Sequence, residues 1–320
     1  MILILTQGSD QSTNDVIEWL LRWGKPFLRI NETDIVKIKS IQINSTFEDI
    51  CFSLNNNPKL FQISSFKAYW YRRGWLNIEA NLILELDFFD REVNKYLKEE
   101  MSKISSYFYF LINKIPNRIG GFHEQNNKLI NLSIALQSGL QIPFTKIITH
   151  KEDIPQELTV VSKAISNNID VYREDFSVHT LTALLNPSTI EDNHYFPSLV
   201  QGYVDKIFDL RIFYLNKRLW SMAILSQSDD TTKIDFRNYN LQKGNRVEPY
   251  NIPKKIERKV IKFMQKINWA SGSIDFVVDK DYNYYFLEVN PIGQFGMVSF
   301  PCGYNIEKEI AKQLINNIDE

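Results

Sequence analysis

The sequence predicts a mixed α/β fold with β-hairpins in its C-terminal half, and three patterns indicate this class. Residues 2–5 form an unbroken apolar run that is typical of a buried strand, and an amphipathic helical pattern follows and stops at Gly24. Residues 206–225 and 273–290 each contain two strand-like segments around a short polar turn, which is typical of a β-hairpin. A strand-helix unit combined with hairpins predicts an α/β (α+β) chain of more than one domain.

Length and composition bound the class of protein. The 320 residues, of which 44% are hydrophobic, are enough to bury at least two cores, so two or three domains are expected. Lys and Arg number 37 against 38 Asp and Glu. The resulting net charge of −1 argues against a nucleic-acid partner, because a dedicated binder needs a basic excess.

Two further patterns predict the compartment. No apolar stretch approaches the roughly 20 residues of a membrane span. The apolar start has no basic region before it, so we expect neither a signal peptide nor a membrane partner. Cys51 and Cys302 are far apart and lack metal-ligand spacing, which indicates free thiols in a reducing compartment. The predicted localisation is cytoplasmic.

The first part of the chain is predicted to be a scaffold. The turn at residues 6–10 lacks the G-x-G-x-x-G spacing of a dinucleotide site. Arg72 and Arg73 end an aromatic strand, and because neighbouring strand residues face opposite ways, at most one of them points into a given cleft. A solvated strand end is the alternative for this pair. A helical pattern over residues 88–112 then leads to a boundary near Pro116.

Two lysines in the middle of the chain are candidates for phosphate binding. Lys128 lies in the first turn of a predicted helix, where its charge opposes the helix dipole. This small cost makes sense if the lysine serves an anion bound at the same helix start, and a plain surface lysine is the alternative. Lys163 ends an apolar strand at residues 159–162, and such a lysine needs a partner, which a phosphate would supply.

The last hairpin places three oxygen ligands together. If Asp275 lies opposite Glu288, the two carboxylates share one face, and side-chain alternation adds Asn290 to that face. Pro291 also forces Asn290 out of helical geometry. This hard oxygen set suits Mg²⁺, which keeps its other positions for water and phosphates, so the pattern predicts a Mg-nucleotide site. An exposed hairpin with ordinary surface acids is the alternative.

The preceding hairpin presents a second polar face. Period-two alternation puts Asp209, Arg211 and Phe213 on one side, so that Asp209 and Arg211 can pair while the arginine still reaches into a cleft. A structural ion pair without further function is the alternative. Residues 235–238, Asp-Phe-Arg-Asn, follow in a polar loop before a helix with a basic, solvated face.

The order of these elements resembles that of the ATP-grasp ligases. The series consists of the N-K-L helix with G-L-x-I-P-x-T, the strand lysine, the Q-G-Y-V-D hinge, the D-x-R strand, the D-F-R-N loop, and the final I-D-F and E-V-N-P-I-G-Q-F, over about residues 116–300. The opening of the chain, its R-I-N-E-T-D and its Y-W-Y-R-R-G resemble the peptide maturases of graspetide pathways, which are relatives of the microviridin ligases. The closest type is the grasp-with-spasm maturase.

This resemblance implies an ATP-grasp fold in three parts. Residues 1–115 would form an N-terminal pre-ATP-grasp α/β domain. Residues 116–195 would form a central subdomain with the nucleotide lid and the surface for a leader peptide, and residues 196–320 a C-terminal subdomain with the magnesium site. The polar loop at residues 167–174 would be the lid.

The resemblance also implies which residues bind ATP. The phosphates would be held by two lysines, Lys128 and Lys163. The backbone of the hinge would meet the adenine, and a carboxylate would accept hydrogen bonds from the ribose hydroxyls. These hinge and ribose positions are Gln201, Tyr203, Val204 and Asp205.

The remaining implied roles belong to catalysis and metal binding. Two arginines would stabilise the transferring phosphoryl group and the acyl phosphate, with an asparagine beside them, and in-line transfer needs such charge neutralisation more than a protein nucleophile. These residues are Arg211, Arg237 and Asn238. The magnesium ligands would be Asp275, Glu288 and Asn290. Arg72 and Arg73 would steer an acidic peptide, a role that the family likeness itself does not assign.

The function that the resemblance implies is that of an ATP-dependent macrocyclase. ATP would phosphorylate an Asp or Glu side chain of a ribosomally made precursor peptide with a leader and an acidic core. A Ser or Thr hydroxyl or a Lys amine would then attack, giving a side-chain ester or amide crosslink. Related ligases suggest a homodimer. One alternative is an ATP-grasp ligase that joins separate molecules, and the other is a non-catalytic peptide- or nucleotide-binding module.

Overall fold

The chain folds into two compact units. The structure, a computed structural model, describes residues 1–80, 87–122, 126–166, 170–173, 175–179, 182–229, 232–238 and 244–316. The first unit contains residues 1–123 together with residues 305–320, and the second contains residues 124–304. The mixed α/β class is confirmed. The three-part division with boundaries after residues 115 and 195 stays a prediction.

The first unit contains two four-stranded sheets. Its strands are β1 (Ile2–Thr6), β2 (Phe27–Asn31), β3 (Ile35–Ile43), β4 (Glu48–Leu54), β5 (Phe61–Gln62), β6 (Ala68–Tyr71), β7 (Asn77–Ile78) and β8 (Asn117–Ile119), and its first two helices are α1 (Gln11–Arg22) and α2 (Phe88–Asn113). One sheet is parallel in the order β2-β1-β6-β8, and the other has the order β5-β4-β3-β7. All of β1 is buried, as its apolar run predicts. Asp10 caps α1 by accepting a hydrogen bond from the Thr13 N–H.

The second unit is built on hairpins. Its elements are α3 (Lys128–Gln137), β9 (Thr145–His150), β10 (Val160–Lys163), β11 (Asp170–Tyr172), β12 (Ser177–His179), β13 (Ala183–Leu184), β14 (His194–Gly202), β15 (Lys206–Leu215), β16 (Arg218–Leu225), β17 (Arg246–Pro249), α4 (Lys254–Lys266), β18 (Ser271–Asp279), β19 (Tyr284–Asn290) and α5 (Gly296–Cys302). One antiparallel sheet has the order β13-β10-β14-β9, a larger one has the order β17-β16-β15-β18-β19, and β11 pairs with β12. The last helix, α6 (Ile306–Ile315), belongs to the first unit.

The side-chain alternation of the large sheet separates a core face from a polar face. Ile212, Ile274 and Phe286 point into a hydrophobic core that includes Phe263 of α4. The alternate positions therefore point to the other side of the sheet. The β15–β16 turn is made by Asn216 and Lys217, which both have positive φ, as a two-residue hairpin turn requires.

No helix within the described part of the chain is both long enough and apolar enough to cross a membrane.

Candidate functional site

A cleft in the second unit lies between its two main sheets. Its walls come from β10 and β14 on one side and from β15, β18 and β19 on the other, with residues 234–237 closing part of it. Seven of the predicted site residues line this cleft: Lys163, Gln201, Tyr203, Val204, Arg237, Asp275 and Glu288. The residues predicted from the hairpin pattern and the lysine at the end of β10 therefore lie in one cleft.

The β18–β19 hairpin has the register that the sequence predicts. Asp275 pairs with Glu288, and Ser273 pairs with Asn290. The register shifts after Asp275, because Phe276 pairs with Phe286 and leaves Leu287 as an extra residue. The two carboxylates thus face each other across neighbouring strands.

Arg211 is paired with Asp275 and not with Asp209. Its Nε donates to Asp275 Oδ1 at 2.8 Å and its Nη2 to Oδ2 at 2.9 Å, because β15 places it directly opposite Asp275. The predicted pairing of Arg211 with Asp209 is therefore wrong. Asp209 is buried and accepts from Lys206 Nζ at 2.6 and 2.8 Å and from Ser226 Oγ at 2.6 Å. The register shift between Lys206 and Phe208 brings Lys206 to the same side as Asp209.

Glu288 lies among three cationic side chains. Its Oε2 is 3.1 Å from Lys128 Nζ, and its Oε1 is 3.5 Å from Arg237 Nη1. Lys128 also donates to the Ala164 carbonyl at 2.7 Å, which ties α3 to the end of β10. Burial by itself would raise the pKa of Glu288, but the charges of Lys128, Lys163 and Arg237 outweigh it and hold that pKa below its usual value.

Lys163 ends β10 inside the cleft, and burial lowers the pKa of its ammonium group to about 8, although the Glu288 carboxylate acts in the opposite direction. Lys128 and Arg237 add further positive charge nearby. An anionic ligand would stabilise the charged form of an ammonium group that has so little contact with water. The position suits the predicted phosphate contact.

Arg237 is held by a carboxylate to which the sequence patterns gave no role. Its Nε and Nη2 donate to the two oxygens of Asp235 at 2.9 and 2.8 Å, and its backbone N–H also donates to Asp235. The Thr182 N–H donates to the same carboxylate at 3.3 Å. Burial alone would raise the pKa of Asp235, but the bonds from Arg237 hold it well below its usual range. In the sequence, Asp235 precedes Arg237 by two positions, and this D-x-R spacing could have indicated that the two side chains pair. Asn238 follows directly in this loop.

The hinge is fixed by hydrogen bonds to both neighbouring strands. The buried Gln201 side chain donates to Thr145 Oγ1 at 3.0 Å. The Gly202 N–H donates to the Phe144 carbonyl and the Tyr203 N–H to the Thr159 carbonyl, both at 2.8 Å. Asp205 is exposed at the end of this segment, directly before β15.

Arg72 and Arg73 both contact Asp10 in the first unit. Their Nε atoms lie 3.4 and 2.9 Å from its carboxylate, and Arg72 is only 3% exposed. Burial lowers the pKa of Arg72 to about 10. Burial and pairing favour a structural role for Arg72, and a substrate role for the two arginines stays a prediction. Of the predicted lid at residues 167–174, residues 167–169 and 174 lie outside the described residues.

The candidate magnesium ligands fit a hard cation by their donor atoms. Asp275 and Glu288 present opposed carboxylates, and Asn290 adds an amide oxygen that accepts from the Ile292 N–H at 3.0 Å. In the described part of the chain, no cluster of three or more His, Cys, Asp or Glu side chains forms a metal site. This set would hold magnesium only together with water and phosphate oxygens.

Comparison with known proteins identifies the family. The RimK-like ATP-grasp domain matches residues 125–314. A RiPP-associated ATP-grasp ligase of Chryseobacterium gregarium, solved with ADP and a leader and core peptide, is similar with a TM-score of 0.80 and 23% identity, over 98% of this chain and 96% of that one. The macrocyclase MdnC of Microcystis aeruginosa, solved with the precursor peptide MdnA, is similar with a TM-score of 0.75 and 23% identity, over 99% of each chain.

A curated relative matches only in part. It is an uncharacterized protein of Mycoplasma genitalium that is 28% identical over 119 residues, which is 37% of this chain and 39% of the relative. The two structural likenesses cover nearly the whole chain, and they confirm the ATP-grasp fold predicted from the sequence. From the family match and this fold, the chain belongs to the RimK-like ATP-grasp family.

Proposed function

We propose that this protein is an ATP-dependent macrocyclase that crosslinks side chains of a ribosomally made precursor peptide. The observation that carries the proposal is the convergence of four cations on two opposed carboxylates beside the hinge. The cations are Lys128, Lys163, Arg211 and Arg237, and the carboxylates are Asp275 and Glu288. Such an arrangement suits the transfer of a phosphoryl group, which requires positioning and charge neutralisation.

The first step is the attack of a substrate carboxylate oxygen on the γ-phosphorus of ATP. The bond between that phosphorus and the β,γ-bridging oxygen breaks, ADP leaves, and an acyl phosphate forms on the peptide. Lys128 and Lys163 hold the phosphates, and Arg211 and Arg237 neutralise the charge that spreads over the equatorial oxygens. Asp235 keeps the Arg237 guanidinium in place through two hydrogen bonds.

The second step is the attack of a Ser or Thr hydroxyl or a Lys amine of the same peptide on the acyl carbon. Inorganic phosphate leaves and the nucleophile loses its proton, so that the peptide loses one water per crosslink. The product is a side-chain ester or amide. Arg211 and Arg237 stabilise the departing phosphate as they stabilised the transferring group.

Magnesium would be held by Asp275, Glu288 and Asn290. When bound, it would neutralise phosphate oxygens and orient ATP for in-line transfer. In the structure, Asp275 is paired with Arg211, and Glu288 lies against Lys128 and Arg237. We propose that these cations turn to the phosphates when ATP binds, which frees the carboxylates for the metal.

The precursor peptide is the partner that the likenesses support. The two similar solved structures were obtained with a leader and core peptide and with a precursor peptide. A homodimer in the cytoplasm stays a prediction. An ATP-grasp ligase that joins separate molecules would have the same ATP site, and the mass of the peptide after reaction separates it from the macrocyclase.

The test is intact-mass analysis of a precursor peptide encoded beside this protein, after incubation with the protein, ATP and Mg²⁺. We expect the mass of one water to be lost per crosslink, together with release of ADP and phosphate. The matched control is the same peptide with its core Asp and Glu residues changed to Asn and Gln, which should keep its full mass. ATP consumption without loss of water would favour the intermolecular ligase, and no ATP consumption would favour the binding module.

A further inference from the structure

Ser273 carries a buried hydroxyl for which the described part of the chain offers no hydrogen-bond partner. The residue is 1% exposed, and its Oγ makes no hydrogen bond to any residue that the structure describes. A buried hydroxyl that stays unpaired costs free energy, so an orphan of this kind calls for a partner in another state of the site. Its surroundings show which partner fits.

Ser273 and the candidate magnesium ligands together form two neighbouring cross-strand pairs of the hairpin. Ser273 lies two residues before Asp275 on β18 and therefore shares its face. Across the hairpin, Ser273 pairs with Asn290 while Asp275 pairs with Glu288. Asp275, Glu288 and Asn290 in this block of four residues are the candidate magnesium ligands, and Ser273 is the remaining residue.

The turn after β19 closes over this serine. A Cβ added to Gly293 would lie 2.7 Å from Ser273 Oγ and 2.6 Å from Ser273 N, which is closer than a Cβ approaches other heavy atoms in proteins. Gly293 donates its N–H to the Asn290 carbonyl at 3.1 Å. The turn that begins at Asn290 is therefore seated against Ser273, and the hydroxyl is enclosed next to this amide residue.

We infer that the Ser273 hydroxyl is a positioning group for Asn290 in the metal-bound state. If the amide oxygen of Asn290 faces a cation, its Nδ2 must donate elsewhere, and Ser273, the residue directly opposite on β18, offers its Oγ as an acceptor. Such a contact fixes which end of the amide meets the metal, as hydrogen-bond partners of metal ligands commonly do. This inference rests on the proposed function, because it requires magnesium at Asn290.

The test compares Ser273→Ala with Ser221→Ala by thermal unfolding, first without ligand and then in a Mg²⁺ titration with ADP present. Ser221 is the matched control because it is also buried in the same sheet, but its Oγ donates to the Tyr250 carbonyl at 2.6 Å. Without ligand, we expect the melting temperature of Ser273→Ala to equal or exceed that of the wild type and that of Ser221→Ala to fall. In the titration, Ser273→Ala should need about tenfold more Mg²⁺ for half of the stabilisation.

A second comparison tests whether Ser273 acts through Asn290. In an Asn290→Ala background, adding Ser273→Ala should leave the Mg²⁺ midpoint unchanged, since the two effects belong to one contact. A wild-type Mg²⁺ midpoint in Ser273→Ala would overturn the inference, as would a melting temperature without ligand that falls like that of Ser221→Ala. If the wild-type protein itself gains no stability from Mg²⁺ and ADP, the proposed function fails and the inference fails with it.

Discussion

Asp275 and Glu288 lie directly opposite each other on β18 and β19, and each is held by its own cations. Arg211 forms two hydrogen bonds with Asp275, whereas Glu288 lies 3.1 Å from Lys128 and 3.5 Å from Arg237. The cations that would bind phosphate are thus the partners of the carboxylates that would bind metal. Under the proposed function, loading the site with Mg-ATP would therefore amount to an exchange of partners within this cluster.

Replacing Glu288 by Gln should reduce ATP turnover in the presence of peptide by about 100-fold or more, because it removes one proposed metal ligand and the shared partner of Lys128 and Arg237. Phosphate release measures this loss. The matched control is Glu157→Gln, at an exposed position of the same unit that is not part of the cleft, and it should retain wild-type turnover. Equal turnover in the two variants would remove Glu288 from the proposed site.

Nucleotide affinity should fall as the pH rises above about 8. The pKa of Lys163 in the free protein is about 8, and the phosphates of ADP favour its charged form, so binding above this pH must include uptake of a proton. The dissociation constant for ADP, measured by calorimetry, should rise by about tenfold per pH unit above pH 8. The groups that face Lys163 are Glu288, Lys128, Asp235 and Arg237.

Lys163→Arg separates this titration from other pH effects. An arginine stays charged over this range, so its pH profile above pH 8 should be flat. Lys146→Arg, at a half-exposed lysine paired with Asp153, should keep the wild-type profile. A Lys163→Arg profile as steep as that of the wild type would assign the pH dependence to another group.

The buried pair of Lys206 and Asp209 should respond strongly to the loss of one partner. Lys206→Met would leave the Asp209 carboxylate buried beside Ser226 without its cationic partner, which we expect to cost about 3–5 kcal/mol of unfolding free energy. Urea denaturation measures this cost. Lys254→Met, which breaks the exposed pair with Glu257, should change stability by less than about 1 kcal/mol. A similar small loss in both variants would contradict the burial argument.

Gly293→Ala should disturb the turn that carries Asn290. The new Cβ would fall within 2.6 Å of the Ser273 backbone nitrogen, so the turn must move away from β18. We expect a lower melting temperature and weaker stabilisation by Mg²⁺ and ADP. Gly244→Ala is the control, because a Cβ there meets no atom within 4 Å among the residues that the structure describes, and it should leave both quantities close to the wild type. Equal behaviour of the two variants would show that the turn is not tightly seated on Ser273.

The sequence by itself determined the hairpins and which residues share their faces. Alternation along a strand has a period of two, so the residue pattern alone assigns Asp275, Glu288 and Asn290 to one side of β18 and β19. The end of an apolar strand likewise led to Lys163 in the cleft. These features are set by residues that are close in the chain and by a single turn, and the local sequence pattern specifies them.

Only the tertiary structure decided which charged residues pair. Asp209 and Arg211 share a face of β15, as ideal alternation predicts, but a register shift between Lys206 and Phe208 brings Lys206 to Asp209, and Asp275 on the neighbouring strand takes the arginine. The anchoring of Arg237 by Asp235 and the enclosure of Ser273 depend on a loop and a turn packing onto the sheet. The periodicity of a sequence carries no information about a single inserted residue or about a long-range contact, because both are selected by the packing of the whole unit.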